Sequence, residues 1–149
     1  MMLCALGAAF AQEDDAAKRD KIYREVQEFK MNYLAQEMDL SEDQKKKFIE
    51  VYEEMNESRH QCFKEAMHMD RKLKKDKDAS EEDYAKVTEA FSKANAQWAE
   101  MEKAYNEKFS EFLSQKQIYK MKEAENSFRV KLEEMKHNRK KDHRKPSHK

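Results

Sequence analysis

The stretch Leu40-Ser41-Glu42-Asp43-Gln44 decides the fold. Ser41 is placed to accept from the free N–H groups that open a helix, and Gln44, three residues on, is placed to reach back to the Ser41 backbone, a capping box. Downstream, Phe48, Tyr52, Met55, Arg59, Cys62, Ala66, Met69 and Leu73 follow in alternating steps of four and three, the spacing of a helix that shows one apolar stripe to a partner. Upstream, Ile22, Val26, Phe29 and Tyr33 form a first stripe that ends near Asp39. Beyond a charged interruption at 74–79, Ser80 is a second N-cap, with Glu81, Glu82 and Asp83 at the positive end of a helix dipole. Tyr84, Val87, Phe91, Ala94, Trp98, Met101, Tyr105 and Phe112 form the third stripe, interrupted by Lys108 and widened by Phe109. Leu113-Ser114-Gln115-Lys116-Gln117 repeats the opening pattern, and Ile118, Met121, Phe128, Leu132 and Met135 make a fourth stripe broken by Glu125. The expectation is an all-α protein of four helices, the central two antiparallel, each about 34 residues or roughly 50 Å long. Glu82 with Lys86, Glu89 with Lys93 and Glu125 with Arg129 are i,i+4 pairs for the outer faces, each contributing about 0.2–0.5 kcal/mol.

Composition limits the alternatives. The chain has 149 residues, 38% hydrophobic and 42% charged, with 31 basic residues balancing 31 acidic ones. Ordinary globular chains are about 25% charged, so this one affords only a thin core. It contains one Gly and one Pro. Phosphate-cradling loops, nucleophile elbows and tight hairpins need more, which excludes dehydrogenase, kinase and hydrolase folds. No catalytic residue and no cofactor is expected.

Residues 1–11 carry no charge and end in Ala9-Phe10-Ala11, which reads as the apolar region of a secretory signal closing on a small-x-small cleavage site. Its missing basic start suggests a longer precursor. Cys4 has too few residues before it for a lipoprotein signal. The segment is too short to span a bilayer, and no other transmembrane candidate exists. After cleavage Cys62 is the sole cysteine, either a small apolar residue or a partner for an inter-chain disulfide.

A seam this narrow does not enclose itself, so a homodimer, an exposed apolar and charged surface, or both are expected. Met31, Met38, Met55, Met67, Met69, Met101, Met121 and Met135 supply the flexible, polarizable side chains of adaptable binding surfaces. Met67 and Met69 lie about 200° apart on a helix, so both do not face one seam. Phe63 and Met67 form a second row beside the stripe, and Ile49 follows Phe48 directly. Ile49, Phe63, Met67 and Met69 are therefore candidate contacts for client proteins.

The two helix-opening motifs stand 73 positions apart behind a secretory signal. This arrangement resembles the Spy/CpxP family of periplasmic proteins, whose hallmark is a repeated Leu-Thr-x-x-Gln motif; Ser replaces Thr here in both copies. The resemblance spans about residues 20–136. It implies a cradle-shaped antiparallel homodimer of long bent helices that holds unfolded or misfolded envelope proteins in the periplasm without ATP. Leu40, Ser41, Gln44, Leu113, Ser114 and Gln117 carry over as fold-defining positions. Relatives also include heavy-metal stress proteins and a regulator of an envelope-stress sensor kinase, which stand as alternatives. The residues offer no metal site: His60 and Cys62 point to nearly opposite faces, and His68 lacks a His or Cys at i+3 or i+4.

The domain reading is a signal at 1–11, a helical domain at 12–136 and a disordered basic tail at 137–149. Lys136 to Lys149 carry about +6. Acidic clients, lipid headgroups and the protein's own acidic body are its candidate contacts; export argues against nucleic acid.

Overall fold

The computed structural model describes the backbone of residues 6–142 and the side chains of residues 17–138. The described residues form four helices, α1 (Leu6–Glu37), α2 (Glu42–Lys75), α3 (Glu81–Ser110) and α4 (Gln115–Asp142), with no strand among them. The chain is all-α. It divides into two compact units: residues 40–118 form one, and residues 1–39 with 119–149 the other. The expected signal, 1–11, lies outside the described side chains.

Each helix of the first unit starts and stops where local chemistry dictates. Ser41 is extended, its hydroxyl accepts from the Gln44 N–H, and the Gln44 side chain accepts from the Ser41 N–H. Ser80 and Asp83 build the same box at the start of α3. Acidic residues fill the first turn of both helices, and Lys72, Lys74 and Lys75 fill the last turn of α2, each sign matched to the local end of the helix dipole. The α2–α3 connection closes through the Asp76 N–H donating to the Leu73 carbonyl and the Asp78 N–H donating to the Asp76 carboxylate.

α2 has the expected 34 residues, but α3 has 30, ending at Ser110. The Ser110 hydroxyl turns back to the Asn106 carbonyl, and the Leu113 N–H donates to the Phe109 carbonyl at 2.8 Å. Leu113 is thereby drawn inward, 5% exposed, and Ser114 is left free to open α4.

α2 and α3 pack as an antiparallel hairpin. Phe48 meets Phe109 with ring centroids 5.8 Å apart, Ser58 meets Tyr105, the Arg59 guanidinium lies over the Trp98 ring, and the Cys62 thiol donates to the Ala94 carbonyl. Phe48, Tyr52 and Phe109 are wholly buried. Burial of such a side chain contributes about 1.5–3 kcal/mol, which makes this end of the hairpin its anchor. Farther along, Ala66 and Ala94 are buried and leave space: a cavity of about 320 Å³ opens beside Cys62, Ala66, Met69, Ala90 and Ala94.

In the second unit α1 differs from expectation. The stripe Ile22, Val26, Phe29 and Tyr33 is not its buried face: Ile22 is 59% and Phe29 53% exposed, and Val26 and Tyr33 are half-buried. Met31, Leu34, Ala35 and Met38 are buried instead, on a face about 160° away at about 100° per residue. Both sets have helical spacing, so periodicity alone names either. Phe128 of α4 is buried against the rings of Phe29 and Tyr33, with centroids at 5.9 and 5.7 Å. α4 runs through Asp142, so residues 137–142, expected as the start of a disordered tail, are helical; no Gly or Pro interrupts them, and cations in a last turn favour the helix. Residues 143–149 lie outside the described residues.

Candidate functional site

The two Leu-Ser-x-x-Gln motifs meet within the hairpin unit. Gln44 Nε2 donates to Gln117 Oε1 at 3.0 Å and Gln117 Nε2 donates to Gln44 Oε1 at 3.1 Å, a reciprocal amide pair. The second Gln44 amide hydrogen goes to the Phe112 carbonyl at 3.0 Å. Each glutamine oxygen also accepts from its own N-cap, Ser41 N–H at 3.1 Å and Ser114 N–H at 3.0 Å. The repeat thus makes two capping boxes and then joins them. Beside it Leu113 is buried and Leu40 half-buried, while Ser41 and Ser114 remain exposed. Ser41, Gln44, Ser114 and Gln117 thus spend their polar groups on the starts of α2 and α4.

A polar cluster crosses the hairpin nearly three turns farther along α2. Lys108 Nζ lies 2.7 Å from Glu54 Oε1 and over the Tyr105 ring, whose hydroxyl is 2.6 Å from Ser58 Oγ. The Lys108 hydrogen bond holds the Glu54 carboxyl below its usual range, against a smaller opposing effect of desolvation. The same bond raises Lys108. Lys108 breaks the apolar stripe because it answers a carboxylate on the facing helix. Hydrogen bonds from the Ser80 backbone and then its hydroxyl hold Asp83 below its usual range. On the outer face Lys86 pairs with Glu82 at 2.9 Å, which raises Lys86, and Lys93 pairs with Glu89 at 3.1 Å.

The candidate client contacts divide. Met67 is 42% exposed, whereas Ile49, Phe63 and Met69 are half-buried. Met69 borders both the 320 Å³ cavity and a neighbouring one of about 200 Å³ beside Leu73 and Val87. The larger exposed apolar surface lies in the other unit: Ile22, Tyr23 and Phe29 on α1, and Tyr119, Val130 and Met135 on α4, all more than half exposed. Tyr23, Tyr119 and Val130 lie off every apolar stripe, and large apolar residues off the stripe were the sequence signal for them. The Tyr119 hydroxyl is tied to Glu123 by a hydrogen bond that raises its pKa.

Among the described residues no group of three or more His, Cys, Asp and Glu side chains stands together as a metal site requires. Among them also, no helix is long and apolar enough to cross a membrane. Comparison with protein-family models, with curated proteins and with solved structures finds no match.

Proposed function

We propose that this protein holds unfolded or misfolded envelope proteins in the periplasm without ATP, as a homodimer, on a helical surface that mixes charged and apolar side chains. One observation carries the reading. Six large apolar side chains of one unit, Ile22, Tyr23, Phe29, Tyr119, Val130 and Met135, stand more than half exposed on helices otherwise rich in charge. Single exposed apolar residues are ordinary; a concentration of large ones on one pair of helices favours an interaction surface.

The physical logic is plural and weak contact. Charges raise the rate of encounter, and apolar side chains hold a chain at short range without fixing its conformation. Such a surface needs no reactive group. The resemblance of the paired Leu-Ser-x-x-Gln motifs to those of the Spy/CpxP family supports the same reading, including export.

The test is aggregation of a chemically denatured client, followed by light scattering, with the full chain at an equimolar subunit ratio and no ATP. Slower aggregation is expected. Scattering unchanged from the client alone overturns the proposal.

A further inference from the structure

The methionines divide by exposure, and the division falls within single helices. On α4, Met121 and Met135 belong to one stripe, at helical spacing with Ile118, Phe128 and Leu132, yet Met121 is buried and Met135 is 54% exposed. Met135 lies beyond Phe128, the last buried side chain of α4. On α2, Met55 is buried and Met67 is exposed. Met67 directly follows the buried Ala66, about 100° round the helix, in the row that holds Phe63. Met31 and Met38 are buried, and Met69 and Met101 are half-buried.

A thioether takes an oxygen atom from a peroxide wherever the oxidant can reach it. The sulfur lone pair attacks one oxygen of hydrogen peroxide and the O–O bond breaks. Sulfur is oxidised by two electrons to the sulfoxide, and the leaving hydroxide takes the remaining proton to become water. The product is polar, so it is tolerated at an exposed site and costly at a buried one.

We propose that Met67 and Met135 are oxidation sites for small peroxides, through which the exposed apolar surface becomes polar while the fold stays intact. The effect of the modification rests on the holding function: Met135 is one of the six open side chains assigned to it, and Met67 is the exposed member of the four candidate client contacts. Met31, Met38, Met55 and Met121 are reached only when the structure opens locally, so they lag. Sulfoxide reductases return the product to methionine, which makes the change reversible.

The test treats the full chain with hydrogen peroxide and follows each sulfoxide by peptide mass spectrometry. Among the described methionines, Met67 and Met135 are expected to oxidise at least about tenfold faster than the four buried ones, with helicity by circular dichroism unchanged at that dose. Equal rates at exposed and buried sites, or helicity lost in step with the first oxygen added, overturns the proposal. The effect is read on aggregation of a denatured client. At the dose that converts Met67 and Met135, the chain is expected to lose part of its suppression. Met67→Leu with Met135→Leu, which keeps apolar contact and removes both sulfurs, is expected to retain it after the same treatment. An equal loss in the leucine variant overturns the assignment, because Cys62 or another methionine then carries the effect, and no loss in either chain does the same. A chain that never suppresses aggregation, even untreated, removes the holding function, whereas the order of oxidation still decides the sites.

Discussion

The hairpin of α2 and α3 and the pair of segments formed by α1 and the body of α4 are made of the same residue types at the same helical spacing, yet they use them differently. In the hairpin the apolar stripes face each other, and of its large apolar residues only Met67 and Tyr84 are strongly exposed. In the other unit six such residues are open to solvent. The difference lies in how many faces need a partner. α2 and α3 each have one main stripe, whereas α1 has two, nearly opposite: among its described side chains Met31, Leu34 and Ala35 are buried, with Met38 just past its end, and Phe128 packs on the other face at Phe29 and Tyr33. Phe128 covers the second face only toward Phe29 and Tyr33, and Ile22 stays open to solvent.

Replacing one phenylalanine in each region tests this contrast most directly. Phe109→Ala removes a ring that is wholly buried against Phe48 and Phe112, and is expected to lower stability by about 3–5 kcal/mol. Phe29→Ala, at a ring 53% exposed, is expected to cost less than half of that while weakening client binding. Urea unfolding followed by circular dichroism reads both; equal losses would erase the distinction between a sealed hairpin and an open stripe.

Gln44→Ala should come next. It strands Gln117 and the Phe112 carbonyl, partly buried, for an expected loss of about 1–3 kcal/mol. Because the two amides share their bonds, Gln44→Ala with Gln117→Ala should cost clearly less than the two single losses together. Additive losses would show that the paired motifs act separately.

Asp39 links the two regions in sequence and holds a left-handed backbone, φ 55°. That conformation suits glycine at a helix end. Asp39→Gly is expected to raise stability by up to about 1 kcal/mol, and a β-branched residue there to lower it. A rise in melting temperature for the glycine variant, and a fall for Asp39→Val, would confirm that the turn is under backbone strain.

The smallest effect is on pH dependence, and it belongs to the hairpin. Glu54 and Asp83 titrate below their usual range, so their contribution is present above that range and is lost as pH falls through the lowered values. Lys86 and Lys108 are raised, so theirs is present below the usual lysine range and is lost as pH rises through the raised values. Glu54 and Lys108 are about half exposed, which keeps both effects modest. Glu54→Gln should flatten the acid limb of a stability profile; an unchanged limb would remove this bridge from the account.

Much of the hairpin was legible in the sequence because its signals are local. Ser41 with Gln44, Ser80, and the run from Phe48 to Leu73 are each explained by neighbours within a few residues. Lys108 looked like a flaw in its stripe, since its reason, Glu54, lies on the other helix. The joining of Gln44 to Gln117 was legible only as a repeated motif, because a bond between residues 73 apart leaves no periodic trace. The α1 stripe was legible as apolar, but the second helically spaced face of α1, which is the buried one, was not read. Spacing reports that a face is greasy, whereas only a neighbour decides whether it is sealed. For that reason the candidate contacts Ile49, Phe63 and Met69 are half-buried, while Val130 and Tyr119 went unnoticed.

The interlocked glutamines fix how the chain tolerates changes of length. An insertion between Leu113 and Ser114 would pull the Ser114 cap out of step with Gln44 and break the amide pair, whereas one before Ser41 would leave every bond of the pair in place. At the opposite end of the hairpin Asp76 to Ser80 is held by bonds between near neighbours, so extra residues there would lengthen a surface turn and leave the helices in register. Growth of this protein should therefore be found at its far tip.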